Sequence, residues 1–261
     1  MTAETSVRRE RTLLGGVVFA VLFAQVLLYP GIDRLVTALG APGVLGASTW
    51  FLAVELVASV AFVWVWGHVS DARGVRAPLI RVGAVAAAAG YAALAVLPHV
   101  PTVPFAGALA VRALQGAGTV GVLSLAMTML MDLPGGHGRN MGAAGVAVGA
   151  GTALGAPVGG LLYGLGPSVP VAAAAALALT IAVLSTRLAD RAPSVPDPRA
   201  GLAGVVARVR ATPTLAVPYG FGFIDRLTAG VFALAGTLYF RTEFGLSPAA
   251  TGLMLALFFA P

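Results

Sequence analysis

Four residues at helical spacing mark where this chain can do chemistry. Arg112, Gln115, Gly116 and Thr119 stand at i, i+3, i+4 and i+7 within the apolar run 104–132, so they share one helix face. An arginine held in hydrocarbon is costly and normally faces a cavity or a counter-charge. Three acids are candidates to meet it. Glu55 lies twelve residues before Gly67 in the second apolar run, roughly 18 Å from that end of its helix. Asp225, followed by Arg226, is deep in the run 214–240, and Asp33 lies toward the far end of the first run. Burial favours the neutral form of such an acid, and a nearby guanidinium favours its carboxylate. A group balanced between the two suits proton carriage. A structural ion pair leaves the same pattern in the sequence.

Other chemistries lack their residues. The chain has no Cys, which excludes a disulfide framework and any Cys metal site. His68, His99 and His137 fall in breaks between apolar runs and share no metal-ligand spacing. No Ser/His/Asp arrangement is placed for catalysis, and no phosphate-cradling P-loop is present. The expectation is a non-enzyme with no metal and no cofactor.

The elements that position these residues must be membrane helices. Of 261 residues 58% are hydrophobic and only 10% charged, with mean hydropathy +0.92; a soluble domain carries about 25% charge. One span takes roughly 20 residues. The runs 13–38, 46–66, 77–97, 104–132, 140–163, 169–189 and 214–240 read as seven spans, and 249–261 as part of an eighth. The first run follows Arg8, Arg9 and Arg11 but continues well past the length of a signal peptide.

Every basic residue is Arg, and the arginines alternate along the chain. They cluster before span 1, in the 67–76 break, at Arg139 and around 187–210. The breaks 39–45, 98–103 and 164–168 contain none. This positive-inside pattern places the N terminus, the 67–76 loop and the 190–213 connector on the cytoplasmic side. The net charge of +6 therefore reports membrane topology and does not imply nucleic acid. The expected organisation is a tail at 1–12, a six-helix bundle at 13–189, a cytoplasmic linker at 190–213 and the start of a second bundle at 214–261. Residues 199–211 of the linker read as a short basic helix or as a solvated segment. The last run stops at Pro261 while still apolar, so a longer protein is expected.

Three motifs carry a resemblance. Gly67, Asp71, Gly74 and Arg76 match the pattern G-x-x-x-D-(R/K)-x-G-(R/K)-(R/K) found between the second and third helices of the major facilitator superfamily. Ala72 and Val75 replace two of its bases, and Arg73 stands one position from the first. Arg112-Ala113-Leu114-Gln115-Gly116-Ala117-Gly118 resembles the R-x-x-Q-G-x-G of the fourth helix in proton-coupled members. Gly151, Gly155, Pro157, Gly159 and Gly160 resemble the antiporter motif G-x-x-x-G-P-x-x-G-G, with Ala156 inserted before the proline. Glycines four apart let helices approach closely.

The resemblance implies an all-α polytopic fold: the first six-helix half of such a bundle and about two helices of the second. It looks most like the drug/proton antiporter branch, which implies proton-driven export of a small hydrophobic or amphipathic molecule by alternating access. Glu55, Arg112, Asp225 and Asp33 become proton-coupling candidates. Gln25, which stands near where that branch places an acid before a Pro-Gly pair, and Gln115 become substrate-cavity candidates. Gly67, Asp71, Arg73, Gly74, Arg76, Asp132 and Arg139 become gating residues, with Asp132 paired to Arg73 or Arg76 and Asp71 to Arg139. The implied partners are a small-molecule substrate, protons and the lipid bilayer of a bacterial cytoplasmic membrane, with a monomeric full-length protein. A carrier of a polar metabolite, sugar or siderophore, working as an importer, is the alternative. A non-transporting membrane sensor or scaffold is a third reading.

Overall fold

Proline and glycine fix the helix ends that hydropathy leaves blurred. The computed structural model describes residues 3–100, 102–190 and 202–259. Its helices are α1 (Ala3–Val26), α2 (Ile32–Ala38), α3 (Val44–Arg73), α4 (Ala77–Val96), α5 (Phe105–Met131), α6 (His137–Leu162), α7 (Val169–Leu184), α8 (Leu202–Ala211), α9 (Ala216–Val231), α10 (Thr237–Thr242) and α11 (Pro248–Phe259). Five helical stretches among the described residues are long and apolar enough to cross a membrane: Val44–Arg73, Ala77–His99, Phe105–Met131, His137–Leu162 and Val169–Arg187.

The expected first span is two helices, not one. Pro30 has no N–H to give the Val26 carbonyl and disfavours α geometry at Tyr29. The ladder breaks there: Tyr29 N–H turns back to the Val26 carbonyl at 3.2 Å, and Ile32 N–H bonds the Tyr29 carbonyl at 3.3 Å. The freed Leu28 carbonyl accepts the Tyr163 hydroxyl of α6 at 2.9 Å. Gly31 lies against the same ring, where an added Cβ would stand 2.6 Å from it. The expected seventh span is also interrupted: a π-helical turn, Phe232–Gly236, separates α9 from α10.

The break expected at 67–76 is mostly helix. Gly67, Asp71 and Arg73 belong to the last turns of α3. Their polarity does not end the helix; Gly74 does. It takes the left-handed conformation (φ 63°), and its N–H bonds the Ser70 carbonyl. The connector residues 191–201 lie outside the described residues, and 202–211 form α8.

Among the described residues two large apolar clusters fill most of the interior, and a small third one joins Val26, Ala156 and Leu255. One of the large clusters, at the arginine-rich end, includes Leu14, Val18, Ile80, Val122, Met129 and Leu130. The other, at the arginine-poor end, includes Leu27, Leu28, Ile32, Phe51, Leu94 and Val171. Glycines set the helix spacing between them. Gly83 and Gly118 face each other across α4 and α5; an added Cβ on Gly83 would come within 2.9 Å of the Gly118 carbonyl.

Helix α6 is wedged on two sides. Gly151 and Gly155 rest on the carbonyls of Phe19 and Phe23 in α1, and Gly159 on that of Leu27 just past its end. Gly160 and Ala156 face Pro248 and Gly252 of α11. Helix α6 runs unbroken through Pro157.

Gly155→Val would drive a side chain into the α1 backbone, where a Cβ already stands 2.9 Å from the Phe23 carbonyl. Overpacking of this kind costs about 1–3 kcal/mol. Thermal unfolding of the full-length protein in detergent is expected to show a lower midpoint for Gly155→Val and an unchanged one for Gly142→Val, where an added Cβ meets nothing within 4 Å.

Candidate functional site

A chain of polar side chains crosses the apolar interior between the two clusters. Arg112 is 0% exposed and Glu55 1%. They form an ion pair through Arg112 Nη2 and Glu55 Oε2. Gln25 Nε2 donates to the other carboxylate oxygen, Glu55 Oε1, at 3.2 Å. Arg112 Nη1 donates to Gln115 Oε1 at 2.6 Å, and Gln115 Nε2 donates to Thr119 Oγ1 at 2.6 Å. Thr119 closes the chain by donating to the Gln115 carbonyl at 2.9 Å.

Each link follows from local sequence. The spacing of Arg112, Gln115 and Thr119 stacks them on one face of α5. Gly116 lets α3 come close enough for Glu55 to reach Arg112: an added Cβ there would lie 3.0 Å from Glu55 Cγ and from its carbonyl. Gly90 of α4 makes the same allowance for Gln115. The guanidinium lies over the Phe51 ring, 4.7 Å from its centroid, and 6.0 Å from that of Tyr91. Such stacking is attractive for a desolvated cation. Arg112 Nε has no hydrogen-bond partner among the described residues.

One end of this chain meets a cavity of about 420 Å³. Leu22, Val26, Leu52, Leu56, Leu123 and Leu234 supply apolar wall, and Gln25, Tyr29, Glu55, Ser59 and Thr152 supply polar groups. Gly230, Ala233 and Leu234 bring the π-turn region into the wall. Of the expected cavity residues, Gln25 lines it. Gln115 does not: it is 0% exposed, packed against Gly90 and committed to Arg112 and Thr119. Asp225 falls within α9, and its side chain lies outside the described residues. Asp33 lines a different cavity from Glu55. It pairs with Arg241 of α10 through two hydrogen bonds, 3.1 and 2.6 Å.

The arginine-rich end is held by a second set. Arg76 forms an ion pair with Asp132, one of the two partners the sequence offered. The backbone N–H groups of Arg76 and Ala77 both donate to Asp190 Oδ1, at 2.9 and 3.3 Å, so Asp190 caps α4 from a distant part of the chain. No ion pair joins Asp71 to Arg139 among the described residues; Asp71 is half-buried and Arg139 exposed. Asp71 stays on the helical end of α3, while Arg139 lies on the outer face of α6.

Sequence reasoning missed Asp190 and Arg241, and treated Arg11 as tail charge only. Arg11 Nε donates to Asn140 Oδ1 at 2.9 Å and its Nη2 to the Pro134 carbonyl at 2.8 Å. Buried Asn140 donates in turn to the Leu133 carbonyl at 2.6 Å. A lone Asn at the start of an apolar helix was the available signal. Nothing local marks Arg241, whose partner is 208 residues away.

The family model for the Major Facilitator Superfamily matches residues 14–261. Among solved structures, the chain is similar to one described as the crystal structure of a D-xylose-proton symporter, with TM-score 0.57 and 18% identity. The match covers 99% of this chain and 66% of that one, so the chain spans slightly under two thirds of that protein's length. At this identity the likeness is one of fold: the described residues form an all-helical bundle, consistent with part of a Major Facilitator Superfamily bundle. Among curated proteins no sequence matches.

Removing one partner of a buried ion pair strands the other charge and costs about 3–5 kcal/mol. Arg112→Ala is therefore expected to lower the unfolding midpoint of the full-length protein more than Glu55→Gln/Arg112→Gln, which removes both charges. A double variant as unstable as Arg112→Ala would show that the loss came from packing rather than from a stranded carboxylate.

Proposed function

The chain belongs to the Major Facilitator Superfamily, and we propose that it is the first part of a secondary transporter that exports a small hydrophobic or amphipathic molecule in exchange for protons. One observation carries this reading. A carboxylate paired with an arginine lines a largely apolar cavity, and its second oxygen accepts from Gln25, which lines the same cavity.

The proposed chemistry is competition for Glu55. Oε2 is committed to Arg112. Oε1 accepts from a neutral amide, Gln25 Nε2, at 3.2 Å, and both residues line the cavity. A proton on Glu55 releases Arg112 from its counter-charge. An amphipathic substrate donating to Oε1 favours the carboxylate and expels the proton. Reorientation with either occupant, but not with both, yields antiport. Arg112, Gln115 and Thr119 hold the carboxylate at the cavity wall; they do not touch the substrate.

Under this reading the arginine-rich end faces the cytoplasm of a bacterial cell, with the N terminus inside. Residues 13–189 are the first bundle, 190–213 the cytoplasmic linker and 214–261 the opening of the second bundle. The full-length protein works as a monomer in the bilayer and has no nucleic-acid partner. Arg76 and Asp132 hold the cytoplasmic ends of α4 and α5 together, with Asp71 and Arg73 on the neighbouring end of α3.

A sugar or polar-metabolite carrier is the second reading, favoured by the fold likeness to a sugar–proton symporter. The cavity wall favours the first: a sugar needs hydrogen bonds around its whole rim, and much of this wall is leucine and valine.

Substrate-induced proton release from purified full-length protein in detergent tests the coupling. A lipophilic dye is expected to release protons from the parent and none from Glu55→Gln, which should still bind it. Release that persists in Glu55→Gln moves the assignment to Asp225. Release by a pentose or hexose, and none by dye, replaces the export reading with the sugar reading.

A further inference from the structure

Two polar atoms beside the Glu55–Arg112 pair have no hydrogen-bond partner among the described residues: the Tyr91 hydroxyl of α4 and Arg112 Nε. Tyr91 is 1% exposed. A buried hydroxyl without a partner is costly, and each such group needs a reason. The Tyr91 ring centroid lies 6.0 Å from Arg112 Cζ. Its hydroxyl stands within reach of the guanidinium without completing a bond to it. The guanidinium is turned elsewhere: Nη1 is held by Gln115 and Nη2 by Glu55.

The charged and titratable groups that face Tyr91 are Glu55 from α3, Arg112 from α5 and Tyr29 from the break after α1. Gln25 of α1 is engaged with Glu55. Helix α7 approaches with Ala178 and Ile181, whose side chains carry no polar atom. With Ala24 and Ala87 they border a void of about 10 Å³ against Tyr91, which leaves the ring room for a small tilt.

Protonation of Glu55 changes what Arg112 needs. A neutral carboxyl no longer balances the guanidinium, and a stranded buried charge is strongly unfavourable. A phenolic oxygen accepts hydrogen bonds while keeping its own proton. Bonds to an ionised donor are the stronger kind. Among the described residues Tyr91 offers an acceptor that no donor occupies.

We propose that Tyr91 is the second station of Arg112: its hydroxyl oxygen accepts from the guanidinium when Glu55 carries the proton and stands unbonded when Glu55 is a carboxylate. This rests on the coupling proposed for Glu55 and deepens it. The added proton stays on Glu55, and Tyr91 acts only by positioning Arg112. Arg112 keeps a polar partner in both states, and the unbonded hydroxyl of this structure marks the deprotonated one.

The test uses infrared difference spectra of full-length protein in detergent, acid minus neutral, with isotope-labelled tyrosine to identify the tyrosine bands. In the parent, the carboxyl band of protonated Glu55 and a shift of one tyrosine C–O band are expected to share one midpoint. Glu55→Gln should show neither change. Tyr91→Phe keeps the ring and removes the acceptor, which makes the protonated state less favourable. Its tyrosine shift should vanish. Its carboxyl band should appear about one pH unit lower, the tenfold weaker proton binding that loss of one hydrogen bond to a charge brings.

A tyrosine band that stays still in the parent, shifts in Glu55→Gln as well, or survives in Tyr91→Phe overturns the proposal. So does a parent-like midpoint in Tyr91→Phe, or a shift that Tyr29→Phe removes instead. If Tyr91→Phe does not fold, a shift present in the parent and in Tyr29→Phe but absent from Glu55→Gln supports Tyr91. No substrate enters the measurement. A carboxyl band lost in Glu55→Gln beside a silent tyrosine removes Tyr91 alone. A carboxyl band unaltered in Glu55→Gln removes the coupling assignment itself, and the proposal with it.

Discussion

Everything in this protein is arranged around a charge that hydrocarbon would reject. Arg112 is wholly enclosed, and an isolated cation there would be untenable. It is tolerated because Glu55 reaches it from α3, Gln115 supports it from its own helix, and the Phe51 ring covers one face. That requirement explains the helix spacing. Gly116 must lack a side chain for α3 to approach, Gly90 for Gln115 to fit, and Gly118 for α4 to close behind. The motif Arg112–Gly118 is one device: charge, support and clearance on consecutive turns.

The same logic of clearance runs through α6, which touches two partners with two neighbouring faces. Its three-glycine face follows α1 to just past its end, and its second face meets α11 at Gly160 and Gly252. Apolar driving force between helices is weak in lipid, and close backbone approach takes its place. Helix α6 thus ties the helices that precede the 190–213 connector to those that follow it. Small residues let such surfaces slide, whereas interlocked large side chains would fix them.

Much of this was legible in the sequence where one helix supplies the whole pattern. The i, i+3, i+4, i+7 face of α5 and the glycine row of α6 stand as periodicity predicts. The Arg76–Asp132 pair followed from two charges at neighbouring helix ends. What failed was boundary and partner. Polar residues from Gly67 to Arg73 look like a loop, yet only Gly74 can leave the helix at positive φ. Pro30 was visible, but its effect needed the Tyr163 hydroxyl to donate to the freed Leu28 carbonyl. Gln115 shares a face with Arg112, and the sequence could not say that α4 seals that face from the cavity. Asp33 read as an intramembrane acid because Arg241, its partner, is encoded 208 residues later.

The clamp of Arg11 on Asn140 and Pro134, with that of Tyr163 on Leu28, imposes an order of events during synthesis. Helix α1 emerges first, but its anchoring contacts lie 123 to 135 residues downstream. At roughly 5–20 residues per second, the ribosome needs on the order of ten seconds to deliver them. Throughout that interval the broken segment at Tyr29–Gly31 and the glycine-matched face of α1 have no mate from this chain. An arrest between those points leaves α1 with the contacts it makes to earlier helices, such as Gln25 to Glu55, but without those to α6.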